Sequence, residues 1–225
     1  MFLLDKTRIK ICGITRLDDI SDAIHAGADA LGFVFYPPSP RYLKPEAAAP
    51  LIAAIPPFVT SVGLFVNASL EELQAVIKLA PIQLLQFHGD ESPDECHRLA
   101  SAVSRPFIRA FRVKPDTSAA DLLECEAQYK AISPLFQGLL LDTFVDSFGG
   151  SGKVFDWSLI PKELAPRVVL SGGLSAQNAT DAVVRVRPFA VDISSGVELS
   201  KGIKDVAKMR SFVHAVRLAD NMPDS

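Results

Sequence analysis

Eight short apolar runs recur along the chain, and most are followed by a stretch compatible with an amphipathic helix. The runs are Arg8–Cys12, Ala30–Phe35, Phe58–Val66, Ile82–Phe87, Phe107–Phe111, Gly138–Leu141, Val168–Leu170 and Phe189–Ile193. Runs of this length, apolar on both faces and alternating with helices, are the pattern of parallel strands covered by helices. Eight of them in 225 residues favour a closed (β/α)8 TIM barrel over an open doubly wound sheet. The first βα turn agrees, because Cys12-Gly13-Ile14-Thr15 is no GxGxxG dinucleotide loop.

The helices announce themselves at their starts. Ser69 with Glu72 and Ser92 with Glu95 form capping boxes, the second with Pro93 at the first helical position. Ser175 is expected to cap the helix after the seventh run, and the last helix is expected over Ile203–Leu218. No change of composition marks a second domain. Residues 1–225 therefore read as one catalytic domain with a short flexible tail from about residue 220.

Composition excludes several classes of function. Hydrophobic residues make up 48% and charged residues 22%, as in ordinary globular proteins. A net charge of −3 argues against nucleic acid or an anionic membrane as the main partner, so any anion site must be local. Cys12, Cys96 and Cys125 have neither disulfide nor zinc spacing, which suggests reduced thiols, no metal and a cytoplasmic protein. The apolar patch at the N-terminus is too short for a signal-peptide core, and no segment is long enough to span a membrane.

In such barrels the chemistry sits where strands end and the following loops begin. The polar residues at those points are Cys12, Arg41 in Ser39-Pro40-Arg41, His88, Asp142, Ser171-Gly172-Gly173, Asp192 and Ser194-Ser195-Gly196. Loops after the last two strands, with a short helix opening at Ser194, are the common place for a phosphate in this fold. Gly150 and Gly152, in Phe148–Lys153 after the sixth strand, add permissive glycines and a cation. Asp142 ends a fully apolar strand and is expected to face the barrel mouth. Cys12, taken alone, is as well explained as a small buried hydrophobe. His25, His97 and His214 fall within helices, away from this face.

These motifs in order resemble the phosphoribosylanthranilate isomerase family. The matching segments are Lys10–Thr15, Ser39–Tyr42, Gln86–Gly89, Leu140–Thr143, Gly149–Gly152, Phe155–Trp157, Ser171–Leu174 and Asp192–Glu198. The resemblance implies an Amadori rearrangement without metal or other cofactor. In it Asp142 is the general acid that opens the ribose ring, and Cys12 is the general base that removes the C2 proton. It further implies that Arg41 holds the anthranilate carboxylate, with His88 and Asp192 around the site and Asp192 near the ribose hydroxyls. Gly173, Ser194, Ser195 and Gly196 would hold the phosphate, and Gly150 and Gly152 would belong to a covering loop. A partly desolvated carboxyl suits the acid, and a thiolate base calls for a lowered pKa or a nearby proton acceptor. The partner implied is a small phosphorylated substrate, with the chain a monomer or homodimer. Two alternatives are weighed: a non-catalytic sugar-phosphate-binding barrel, and the histidine-pathway isomerase that runs the same rearrangement. The latter carries a carboxylate at the position of Cys12 and has two related halves, and no internal repeat is found between residues 1–110 and 111–225.

Overall fold

The computed structural model describes residues 6–143 and 154–223. Eight parallel strands close into a barrel in sequence order: β1 (Arg8–Cys12), β2 (Ala30–Val34), β3 (Thr60–Phe65), β4 (Leu84–Phe87), β5 (Phe107–Val113), β6 (Phe136–Thr143), β7 (Val169–Leu170) and β8 (Ala190–Ile193). Closure is made by β8 against β1, with Lys10 opposite Asp192. The helices are α1 (Leu17–Ala26), α2 (Pro45–Ala53), α3 (Leu70–Leu79), α4 (Pro93–Ala102), α5 (Ala119–Ile132), α6 (Ala179–Val186) and α7 (Val206–Asp220). The described part of the connection from β6 to β7 contains only short 3-10 turns, at Trp157–Leu159 and Ala165–Arg167.

The helix starts follow the expected chemistry. Both capping boxes form, and Ser118 with Asp121 adds a third at α5; each cap is worth about 1 kcal/mol. Two starts differ from expectation. Asn178 Oδ1 accepts the Ser175 N–H, so residues 175–178 make a turn and the helix opens only at Ala179. Before α7, Ile203–Lys204 forms strand β10, paired with β9 (Glu198–Ser200). Asp205 then caps the helix by accepting from the N–H groups of Ala207 and Lys208.

Alternation along each strand divides the apolar residues into two separate clusters. The large one lies between the barrel and the helices and includes Ile9, Ile11, Leu85, Phe87, Phe107, Leu139, Leu141, Val191 and Ile193. The small one fills part of the lumen with Ile108, Ala110 and Leu140, against which Leu84 and Val169 pack. Phe107 anchors an aromatic group, with its ring 5.5 Å from Phe87, 6.3 Å from Tyr129 and 5.7 Å from Phe136. Replacing Phe107 with Ala should lower stability by about 3–5 kcal/mol. In urea unfolding this should appear as a lower midpoint at unchanged slope.

Candidate active site

The residues skipped by the helix-facing cluster are the ones that face the lumen. Lys10 lies between Ile9 and Ile11, Gln86 between Leu85 and Phe87, and Asp192 between Val191 and Ile193. Continuing the alternation past each strand's last apolar residue adds Cys12, His88, Asp142, Ser171 and Ser194. One parity rule thus gathers most of the expected site at the C-terminal mouth. In the closed order β6 stands three strands from β1 by way of β8 and β7, so Asp142 and Cys12 face each other across the mouth.

Asp142 belongs to β6 itself, because the strand runs two residues past its apolar stretch to Thr143. Its register partner is Arg112 of β5, which forms an ion pair with Asp90. Loop seven approaches so closely that a Cβ on Gly172 would lie 2.7 Å from Asp142 Oδ1 and 2.4 Å from the Thr143 nitrogen. At φ +82° Gly172 also has the left-handed backbone that glycine tolerates best. His88 Nε2 is 3.3 Å from Asp142 Oδ2. On the other side of the ring, Gln86 Nε2 is 2.9 Å from His88 Nδ1. An amide N–H donated to Nδ1 leaves the imidazole proton on Nε2, the ring nitrogen on the Asp142 side.

Cys12 is buried, and a Cβ on Gly32, its neighbour on β2, would lie 2.7 Å from Sγ. The Lys10 ammonium is 2.8 Å from Asp192 Oδ1, and Ser171 Oγ donates to Asp192 Oδ2 at 3.3 Å. Both oxygens of Asp192 are therefore engaged within the protein. Burial pushes the Cys12 thiol upward; Lys10 and Lys204 oppose this and Asp192 adds to it, leaving a net rise. The lowered thiol expected of a base is therefore not found, because desolvation outweighs the nearby cations.

Arg41 is held in place by Glu198. Its Nε and Nη2 each donate to a Glu198 oxygen at 2.7 Å, a bidentate pair. Fully buried Lys204 donates to Glu198 Oε1 at 3.0 Å and to the Ser194 carbonyl at 3.1 Å. The stem of Arg41 lies across Gly13, where a Cβ would come 2.4 Å from Arg41 Cδ and 3.2 Å from Ser194 Oγ. Loops one, two and eight thus meet at one point. Ser194 Oγ there is buried and has no hydrogen-bond partner among the described residues. Ser195 opens the 3-10 turn Ser195–Val197. Gly196 abuts the Leu174 carbonyl, and Gly173 takes a φ of +67°. Gly150 and Gly152 lie outside the described residues. No group of three or more His, Cys, Asp or Glu is placed to hold a metal ion among the described residues.

Lys10, Gln86, Glu198 and Lys204 had no assigned role in the sequence reading. Strand alternation would have placed Lys10 and Gln86 in the lumen. Glu198 stands in a motif already noted, but its pairing with Arg41 spans 157 positions. Burial pushes the Glu198 carboxyl up, and Arg41 and Lys204 pull it further down, to a net position below the usual glutamate range. A depressed carboxyl stabilises the fold fully above its unfolded pKa and loses that contribution as pH falls through its folded value. The melting-temperature gap between the wild type and Glu198→Gln should therefore narrow as pH drops below about 4. A gap constant with pH would contradict the pairing.

Residues 9–215 match the family model for N-(5'-phosphoribosyl)anthranilate isomerase. The isomerase of Herminiimonas arsenicoxydans is 70% identical over 218 residues, covering 97% of this chain and 96% of that protein. The crystal structure of the Thermotoga maritima isomerase superposes with a TM-score of 0.82 at 41% identity, covering 94% of this chain and 98% of that one. A second solved isomerase, in complex with reduced 1-(o-carboxyphenylamino)-1-deoxyribulose 5-phosphate, has a TM-score of 0.76 at 37% identity, with 94% and 98% covered. The chain belongs to the N-(5'-phosphoribosyl)anthranilate isomerase family.

Proposed function

We propose that Asp142 and Cys12 carry this chain's isomerisation of phosphoribosylanthranilate as general acid and general base. The observation that supports this is their placement: both project from strand ends into one mouth, from strands three apart. Asp142 gives its proton to the ribose ring oxygen as the C1–O bond breaks, and the nitrogen lone pair forms C1=N. The Cys12 thiolate then takes the C2 proton. The C–H electron pair becomes C1=C2, and the C=N pair returns to nitrogen. The resulting enolamine gains a proton at C1 and loses one from the C2 hydroxyl, giving the 1-deoxyribulose ketone.

The remaining residues bind and orient. His88, held by Gln86, stands with Nε2 3.3 Å from Asp142 and orients the acid. Arg41 presents to the anthranilate carboxylate the edge that Glu198 leaves open. Ser194, Ser195, Gly173 and Gly196 hold the phosphate, with the unpaired Ser194 hydroxyl supplying one donor. Asp192 stands at the ribose end with its carboxylate fixed by Lys10 and Ser171. Gly150 and Gly152 belong to the loop that covers the substrate. The chain acts in the cytoplasm as a single catalytic domain spanning 1–225, as a monomer or homodimer, without metal or other cofactor.

The test is to generate phosphoribosylanthranilate in situ and follow its fluorescence loss when the purified protein is added. Cys12→Ser and Asp142→Asn should each lower kcat by about 10²–10⁴-fold, with binding of a reduced product analogue changed far less. Turnover that survives both substitutions would overturn the acid–base assignment. Analogue binding without any turnover by the wild type would instead leave a non-catalytic sugar-phosphate barrel.

A further inference from the structure

An ion pair in the lumen of a barrel needs an explanation other than stability. Lys10 and Asp192 side chains are only 6% and 7% exposed, and two such charges lose much of their hydration. Apolar residues of similar volume are often at least as stabilising in such places. Burial pulls the Lys10 ammonium down, and Asp192 and Cys12 more than offset this, so it stays charged. The β1–β8 register sets Lys10 directly opposite Asp192, and Ser171 Oγ fixes the second carboxylate oxygen. The ammonium is thereby pinned to one place on the lumen wall.

That place is beside the Cys12 sulfur. Cys12 is two residues further along β1, on the same face and about 6.6 Å away by strand rise, within reach of a lysine stem. From there the Lys10 charge opposes the rise that burial imposes on the thiol. Other charged groups bear on the thiol from every side: Asp192 from β8, Lys204 from β10 and Arg41 from the loop after β2. Arg41 and Lys204 share Glu198 of β9 as counter-ion. Among these side chains, Lys10 opposes the burial of the thiol most strongly, and it shares a strand and a face with it.

We propose that Lys10, anchored by Asp192, is the positioning residue that stabilises the Cys12 thiolate, so that the base of the reaction is a Lys10–Cys12 unit rather than a lone cysteine. This rests on the reading of Cys12 as the base. During the step the C2 proton moves to Sγ and its bonding pair forms C1=C2. Lys10 keeps its three protons throughout and contributes charge. Burial raises the thiol, and Lys10 is the strongest of the groups that oppose it.

The test is the pH dependence of Cys12 alkylation by iodoacetamide, read by peptide-resolved mass spectrometry so that Cys96 and Cys125 do not interfere. In Lys10→Met the alkylation midpoint should rise by about one pH unit or more, a tenfold loss of thiolate at fixed pH. The limb of the kcat pH profile that reports Cys12 should move with it. KM should change by less than about threefold, as expected when only the chemical step is affected. Lys10→Arg should recover part of the shift. Where Lys10→Met leaves Asp192 unpaired and fails to fold, the double variant Lys10→Met with Asp192→Asn removes both charges and should show the same upward shift. A midpoint unmoved in whichever of these variants folds would overturn the proposal. If the midpoint moves but Cys12→Ser remains fully active, the thiolate pairing stands and the assignment of Cys12 as base falls.

Discussion

Closure of β8 onto β1 is the constraint on which the other features of this protein depend. The register of that pair sets Lys10 against Asp192 and carries Cys12 two residues further to the rim. Because side chains alternate, the same register sends Ile9, Ile11, Val191 and Ile193 outward to the helices. A slip of β1 by one residue would exchange its two faces, placing a lysine in the helix layer and two isoleucines in the lumen. The energetic penalty for that exchange is what makes the pairing unique. The geometry of the site is thus a by-product of how the core is sorted.

Electrostatics at the mouth run against the charge of the chain as a whole. The protein carries a formal charge of −3. Around Cys12, however, Lys10, Lys204 and Arg41 outnumber Asp192 and Glu198 by three to two. The surplus is only one charge, but it lies in a partly dry cavity where screening is weak. It suits a substrate with a carboxylate at one end and a phosphate at the other. The same cations act on the Cys12 thiol, where Lys10 and Lys204 oppose the effect of burial.

Much of this was legible in the sequence, because strand runs, capping boxes and strand-end polar residues are local signals. The eight runs map onto the eight strands, with β6 two residues longer at each end than its apolar stretch. That extension could not be read because Asp142 and Thr143 carry no strand signal of their own and are held by pairing with Arg112 and Val113. The helix starts at Ala179 and Val206 were misplaced for a related reason, since the turn at 175–178 and the β9–β10 hairpin compete with helix through contacts rather than propensity. The charge pairs were the least legible. Lys10–Asp192 and Arg41–Glu198 are separated by 182 and 157 positions, and only the closed barrel joins them.

That separation has a consequence for how the protein comes into being. Cys12 belongs to the first strand of the barrel, whereas Asp192, which pairs with Lys10, belongs to the last. Until β8 docks, the lysine has no counter-ion and the lumen is open to water on that side. A chain that stops short of β8 keeps both of the residues assigned to acid and base but lacks the charge arrangement that tunes one of them. The strand pairing that spans most of the chain, a kind of contact that is slow to form, is therefore also the one that completes the charge arrangement around Cys12.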